Sequence, residues 1–238
     1  MPFQKADQDL EAYLQQSRTW LFSGAALLGM TAGYINVVML GFFAVPVSHM
    51  SGSVSQLGID LASFAMDDLV LIASITTGFF CGALLSGLVL RDTLFRMRRR
   101  YGVLLLVESV LLFVSTLLAL KGFKYAVPVA AMACGLQNAM ASSYRGLTLR
   151  TTHVTGIVTD LGVLLGNRMR GRQIHLWKFA LLLAVLIAFF AGGLAGALLL
   201  QLFGMWALSV ASGLCLILGI AVISVATRSY KDEGDLED

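Results

Sequence analysis

The sequence predicts an all-α integral membrane protein with six transmembrane helices and two short broken or re-entrant half-helices, arranged in two inverted-topology repeats. Three observations lead to this prediction. The chain is 58% hydrophobic and 13% charged, with a mean hydropathy of +0.81, whereas charged residues make up about a quarter of a soluble domain. Six apolar stretches approach the roughly 20 residues that cross a bilayer. A polar motif occurs twice, and the flanking positive charge changes sides between the copies.

The six predicted spans contain a single charged residue, Glu108. They lie at residues 21–40, 69–90, 103–120, 125–143, 179–203 and 206–226. The polar segment before them lacks the basic start, apolar core and cleavage site of a secretory signal. We therefore expect a cytoplasmic N-terminal segment at 1–19, repeat A at 20–121, repeat B at 122–227 and a cytoplasmic acidic tail at 228–238.

An internal repeat is the strongest local signal. HMSGSVSQLG at 49–58 matches HVTGIVTDLG at 153–162, and FFCGALLSG from Phe79 resembles FFAGGLAGA from Phe189. Orientation follows from Arg and Lys, which concentrate in short cytoplasmic loops. Two loops are basic, and they do not occupy equivalent positions in the repeat. The loop after the second span contains Arg91, Arg96, Arg98, Arg99 and Arg100, and the loop after the second motif contains Arg168, Arg170, Arg172 and Lys178. Three crossings per half invert the second repeat, as this pattern requires.

Each motif segment must then enter and leave the membrane on one side. We predict half-helices at 51–64 and 155–166, with Ser51 and Thr155 as N-caps, each on the order of 20 Å long at 1.5 Å per residue. Their N-termini are expected to face each other near the bilayer centre. A helix N-terminus carries partial positive charge, so the gap would suit a small anionic or polar solute.

The predicted solute-binding residues are the histidines, hydroxyl residues and glycines of the two motifs: His49, Ser51, Gly52, Ser53, His153, Thr155, Gly156 and Thr159. Glu108 and Asp160 are the coupling candidates. Asn36, Gln137 and Asn138 are expected to support the site, with interhelical hydrogen bonding as the simpler interpretation. Two alternatives stay open: the motifs serve helix packing alone, and Glu108 extends to the membrane surface.

Other site classes find little support in the sequence. Cys81, Cys134 and Cys215 have no metal-ligand spacing, so we expect small core residues and no metal. We find no catalytic motif and expect no enzymatic activity, no cofactor and no nucleic-acid partner. The GxxxG pairs Gly78/Gly82 and Gly192/Gly196 are typical of close helix packing, and a homodimer face is one use of such a pair.

The stretches GYINVVMLGFFAVPVSHMSGSVSQLG and GLQNAMASSYRGLTLRTTHVTGIVTDLG resemble the YoaK-like family of uncharacterised bacterial inner-membrane proteins. The resemblance implies a multi-pass location in that membrane, with both termini cytoplasmic by the charge pattern, and no established activity. Many relatives carry an acidic residue where this chain has Asn36, which weakens a proton or cation role there. The function hypothesis is a small secondary transporter or channel, with proton coupling as an extension. The alternative is a non-transporting membrane scaffold or sensor.

Overall fold

A computed structural model describes the backbone of residues 2–90, 99–140, 143–144, 147–148 and 151–234, and the side chains of 21–90, 99–140 and 151–227. These residues form eight helices: α1 Pro2–Phe43, α2 Met50–Ala62, α3 Met66–Val89, α4 Arg99–Leu120, α5 Ala126–Met140, α6 Val154–Met169, α7 Leu176–Phe203 and α8 Ala207–Gly234. A 3₁₀ turn, Gly204–Trp206, joins α7 to α8. A short antiparallel hairpin with two residues in each strand, β1 Ser143–Tyr144 and β2 Leu147–Thr148, lies between α5 and α6, and the other described elements are helical as predicted.

Several helices are long and apolar enough to cross a membrane, so the protein is a helical, multi-pass membrane protein. Among the described residues four segments qualify: Leu21–Phe43, Met66–Val89, Arg99–Leu120 and Leu176–Thr227, of which the last contains α7 and α8. Helix α5, expected as a span at 125–143, is shorter at 15 residues. The predicted cytoplasmic arginines Arg91, Arg96 and Arg98 lie outside the described residues.

Helices α1 and α7 run parallel and touch through glycines. A Cβ atom added at Gly29 would meet Val185, and one added at Gly33 would overlap the carbonyl oxygen of Phe189. Both contacts advance by four residues along each helix, which is the register of parallel helices. Small residues are what allow two helix backbones to approach this closely.

Helices α3 and α5 repeat this arrangement. Cβ atoms added at Gly78 and Gly82 would overlap the carbonyl oxygens of Pro128 and Met132, again four residues apart on both helices. The GxxxG pair of α3 therefore packs against α5 of the same chain, and the pair of α7 packs against α1 in the same way. The predicted close packing is present, and neither pair is left to form a dimer face.

Helices α4 and α8 cross in antiparallel fashion. The Ser109 hydroxyl donates to the carbonyl oxygen of Ser212, and the Ser212 hydroxyl donates to that of Ser109, both at 2.8 Å. Gly102, before Ser109, faces Gly219, after Ser212. A short turn at 121–125 folds α5 back along α4, so α5 also opposes α4.

The direction of α1 follows from its contacts with α4 and α8. Leu28 lines one pocket with Tyr101, near the start of α4, and with Leu218, eleven residues after the start of α8. Further along α1, the Tyr34 hydroxyl donates to the carbonyl oxygen of Ala207, at the start of α8, at 2.7 Å. Helix α1 is therefore antiparallel to α8 and parallel to α4.

These contacts divide the long helices into two opposed sets. Helices α1, α4 and α7 point in one direction, and α3, α5 and α8 point in the other. Because α1 and α3 are opposed, the connection containing α2 leaves and returns at one end of the bundle. Because α5 and α7 are opposed, the connection containing α6 does the same at the other end. We call these the α2 end and the α6 end.

Candidate functional site: two half-helices and a polar cavity

The two motif segments begin with matching backbone geometry. Helix α2 starts at Met50 after the N-cap His49 (φ −96°, ψ 72°), and α6 starts at Val154 after the N-cap His153 (φ −86°, ψ 56°). The half-helices thus begin one residue earlier than predicted, and the assignment of Ser51 and Thr155 as N-caps is wrong. Neither histidine side chain caps its helix, so the first N–H groups lack side-chain acceptors at both sites.

Each half-helix is tied to a long helix by an asparagine at an equivalent position of the motif. The Ser48 hydroxyl donates to Asn36 Oδ1 on α1 at 2.9 Å, and the Thr152 backbone N–H donates to Asn138 Oδ1 on α5 at 3.3 Å. Ser48 and Thr152 directly precede the two histidines. Asn36 and Asn138 therefore hold the residue before each half-helix.

The tether at Asn36 sets the depth at which α2 begins. Asn36 lies seven residues before the end of α1 at Phe43, which is roughly 10 Å along a helix axis. The chain after Phe43 turns back to this level before α2 starts. Helix α2, with 13 residues, then covers about 20 Å, which is too short to cross a bilayer.

The two half-helix starts are separate from each other. No Cα atom of α2 lies within 8 Å of a Cα atom of α6. Leu28 of α1 belongs to one buried cluster with Leu136 and Met140, which flank Asn138 on α5, whereas Asn36 stands eight residues further along α1. The starts of α2 and α6 therefore do not touch, and a solute between them would have to bridge a gap.

The predicted solute-binding residues differ in exposure. Ser53 is buried, His49 and Gly156 are partly buried, and the remaining five are exposed on the chain: Ser51, Gly52, His153, Thr155 and Thr159. The Thr159 hydroxyl donates to the carbonyl oxygen of Thr155 at 2.9 Å. The His153 ring folds over Gly156, where an added Cβ would come within 2.5 Å of Nδ1, whereas the space around Gly52 is open.

A cavity of about 390 Å³ with mixed polar and apolar walls lies between α2, the segment before it and α3. Its walls comprise Ala44, Val45, Pro46, Gly52, Ser53, Gln56, Asp60, Asp68, Leu71 and Ile72. Two of the predicted residues, Gly52 and Ser53, lie in this wall. Gln56, Asp60 and Asp68 were missed as site residues, although Gln56 and Asp60 stand four apart and so share one face of α2.

Asp60 and Ser53 are the most enclosed polar residues of this wall, each with 3% of its surface exposed. The Gln56 side-chain amide donates to Asp60 Oδ1 at 2.6 Å. Asp60 Oδ2 has no hydrogen-bond partner among the described residues. A buried carboxylate oxygen without a donor is costly, so this atom calls for a donor or a positive charge.

The equivalent region of repeat B is apolar. Ile157 stands where repeat A has Ser53, and Leu164 stands where it has Asp60. Ile157 packs in a buried cluster with Leu21, Ala25, Leu181, Leu182 and Val185, and Leu161 and Leu164 pack against it. The two half-helices therefore have similar backbones and different surroundings. Asp160, which stands at the position of Gln56, is exposed.

Glu108 lies in the middle of α4 and is fully enclosed, with 0% exposure. The expectation that it extends to the membrane surface is therefore wrong. The thiol of Cys215 is close enough to interact with its carboxyl group, and Cys134 lies nearby. Neither carboxyl oxygen has a hydrogen-bond partner of good geometry in the described part of the chain. Its neighbour Ser109 joins α4 to α8, so Glu108 lies where these helices cross.

Of the remaining predicted residues, Gln137, Cys134 and Cys215 are buried and Cys81 is exposed. Gln137 is fully buried, and within the described residues its amide has no partner. Cys134 and Cys215 are buried as expected, whereas Cys81 is exposed on the chain, so its prediction as a core residue is wrong. In the described ranges no group of three or more His, Cys, Asp or Glu residues is arranged to hold a metal ion.

Comparisons with known proteins assign a family and leave the function open. No curated protein matches the chain, and no solved structure matches it. The model of one family, described as a protein of unknown function (DUF1275), matches residues 24–221. This match covers both half-helices, both asparagine tethers and most of the bundle. The chain therefore belongs to the DUF1275 family.

Proposed function

We propose that the protein is a small secondary transporter or channel that moves a small polar solute across a membrane. The observation that carries the proposal is the pair of half-helix connections, one returning to the α2 end and the other to the α6 end. Short helices that begin inside a membrane domain are a common way to offer backbone groups to a solute. Irregular backbone at such depth is tolerated only where it is protein-buried or lines a cavity.

The proposed architecture is six crossings in two inverted repeats, and equivalent residues in the two halves support it. Gly33 meets the carbonyl oxygen of Phe189, and its counterpart Gly135 meets that of Phe79. Helix α1 of repeat A thus packs on α7 of repeat B, and α5 of repeat B packs on α3 of repeat A in the same way. The reciprocal bonds between Ser109 and Ser212 fit a two-fold axis that passes between α4 and α8. Such an axis in the membrane plane relates the repeats of many transporters.

The two ends of the bundle differ as the open and closed sides of an alternating-access carrier do in one conformation. The cavity beside α2 offers an open space with acidic side chains in its wall at one end, whereas the corresponding region beside α6 is filled by apolar side chains. A solute would enter this cavity at the α2 end. Passage to the α6 end would need the α6 packing to open. Such alternation is the usual working cycle of an inverted-repeat carrier.

The cavity favours a polar solute that carries no negative charge. Asp60 and Asp68 lie in its wall, and like charges repel at short range. Of the two solute classes predicted from the helix N-termini, anionic and polar, the anionic one is therefore the less favoured. Glu108 is the coupling candidate that we retain, because a buried carboxyl group without a counter-charge is a recurrent proton carrier in membrane domains.

We further propose that the α6 end faces the cytoplasm of a bacterial cell and that the chain performs no catalysis. Arg168 lies in the last turn of α6, and Arg170 and Arg172 follow that helix. Cytoplasmic loops are enriched in such residues. Asp67 and Asp68 lie at the opposite end. Both termini then lie in the cytoplasm, because α1 begins and α8 ends at the α6 end.

Site-specific labelling tests the architecture. In a variant with Cys81→Ser, a cysteine at Asp67 should react with a membrane-impermeant maleimide added to intact cells. A cysteine at Arg170 should react only after the membrane is permeabilised. If both positions react in intact cells, or neither does before permeabilisation, the two connections do not return to opposite sides.

Flux into liposomes tests transport itself. The purified protein in liposomes should take up at least one solute from a panel of organic cations, neutral polar compounds and organic anions. Replacing His49 or His153 with alanine should reduce this uptake without lowering the thermal unfolding temperature. Uptake equal to that of protein-free liposomes across the whole panel would rule the transporter out.

A scaffold or sensor is the second candidate, and one observation favours it. Thr155, Thr159 and Asp160 are exposed along α6, and Ser51 and Ser55 are exposed along α2. Polar groups that face lipid are unfavourable, so a partner or second copy that covered them would stabilise the chain. Under this alternative the histidine substitutions would lower the unfolding temperature and change no flux.

A further inference from the structure

We infer that the cavity beside α2 binds a small organic cation that carries N–H donors. This inference rests on the proposed function, since it names the solute class of the proposed transporter. It is carried by one enclosed atom, by the mixture of acidic and apolar walls, and by the contrast with the second half-helix.

Asp60 Oδ2 is the enclosed atom, a buried hydrogen-bond acceptor that is unsatisfied among the described residues. The side chain is 3% exposed, and its other oxygen already accepts from Gln56. No described residue donates to Oδ2. An ammonium or amidinium group supplies both the missing donor and the opposite charge. A hydrogen bond of this charged kind changes a binding constant about tenfold or more.

The rest of the wall defines the kind of cation. Asp68 adds a second carboxylate, and no Lys, Arg or His is among the cavity-lining residues that the structure describes. Val45, Pro46, Leu71 and Ile72 supply an apolar surface on which a hydrocarbon chain would pack. The cavity volume of about 390 Å³ corresponds to roughly a dozen water molecules. A bare metal ion would use neither the apolar wall nor this volume.

Repeat B provides an internal comparison. In place of Ser53, Asp60 and Asp68 it has Ile157, Leu164 and Lys178. The apolar side chains are packed together, and Lys178 contributes the opposite charge. The chemistry that suits a cation is therefore confined to the α2 half, although both half-helices begin with the same His-x-[Ser/Thr]-Gly pattern.

Equilibrium binding to the purified full-length protein in detergent tests the inference. Butylammonium should bind saturably. Tetramethylammonium, which has the same charge and no N–H group, should bind at least about tenfold more weakly, because one charged hydrogen bond is worth a factor of ten or more. Sodium at equal ionic strength should not compete. Butyrate should not bind.

Two carboxylate substitutions make the test specific. Asp60→Asn preserves the shape and an acceptor for Gln56, and it should weaken butylammonium binding about tenfold or more. Asp160→Asn removes an exposed carboxylate from the other half-helix and is the matched control, which should bind as the unmodified chain does. If Asp60→Asn fails to fold, as judged by its thermal transition, Asp68→Asn serves in its place with the same expected direction.

The outcomes separate the inference from the proposed function. Binding that is lost in Asp60→Asn, together with no flux into liposomes, supports the cation site and contradicts transport. Flux of a neutral or anionic solute with no butylammonium binding supports transport and overturns the cation site. Equal weakening in Asp60→Asn and Asp160→Asn overturns the site as well. Competition by sodium with comparable affinity overturns the organic character of the ligand.

Discussion

Replacing Gly82 with alanine should loosen the contact between α3 and α5, whereas the same replacement at Gly87 of α3 should not. A Cβ at Gly82 would lie far inside the 3.0 Å distance from the Met132 carbonyl oxygen that real Cβ atoms respect, and 2.8 Å from the Leu136 nitrogen. Nothing lies within 4 Å of a Cβ at Gly87. Both changes gain the same helix propensity, so their difference isolates the packing.

The size of the effect follows from the required movement. The two backbones must separate by about 1 Å, and a gap of 0.5–1 Å forfeits a quarter to a half of each dispersion contact across it. Overpacking of this kind costs about 1–3 kcal/mol. We expect Gly82→Ala to lower the free energy of unfolding by that amount and Gly87→Ala to leave it unchanged or slightly raised, since alanine favours helix by up to about 1 kcal/mol.

Unfolding by SDS in detergent micelles, followed by far-UV circular dichroism, measures both variants. Gly192→Ala on α7 is a further comparison, because its Cβ would overlap the Met30 carbonyl oxygen as that of Gly82 overlaps Met132. If the halves are related as we propose, Gly82→Ala and Gly192→Ala should have similar effects. Equal stability of Gly82→Ala and Gly87→Ala would refute the close parallel packing of α3 on α5.

Two further predictions concern the tethers and the buried acid. Asn36→Ala and Asn138→Ala should each lower the free energy of unfolding by about 1–3 kcal/mol, because each leaves a buried or partly buried donor, on Ser48 or Thr152, unpaired. Unfolding by SDS measures this effect. Unchanged stability in both variants would contradict the anchoring role. Glu108 is fully enclosed, and glutamine has nearly the same shape, so the Glu108→Gln variant should fold normally. It should lose proton-driven uptake in liposomes and retain exchange of solute across the membrane. Retention of proton-driven uptake would remove Glu108 from the coupling mechanism.

The two halves of the chain are alike in backbone and differ in the side chains around their half-helices. Similar half-helix starts and similar asparagine tethers keep the two repeats alike in backbone. The side chains beside them have diverged, with an acidic cavity in one half and an apolar cluster in the other. In the proposed carrier, the two gates would share a backbone plan and differ in their side chains.

Several features could be predicted from the sequence because they depend on neighbouring residues. High hydropathy over long stretches requires lipid or deep burial, whatever the fold. The repeated motif located both half-helix starts, at Met50 and Val154, within one residue, since the break before each helix is a local property of the chain. Glycine pairs four apart predicted close helix contacts, although not their partners.

The tertiary structure decided everything that depends on residues distant along the chain. Only folding shows that Gly33 meets Phe189 and Gly82 meets Met132, which assigns the glycine faces to contacts within the chain. Only folding encloses Glu108 where α4 crosses α8, and brings Asp60 of α2 beside Asp68 of α3. Burial and pairing are properties of packed surfaces, so the apolar pattern that identified the helices could not determine which polar side chains they would enclose together.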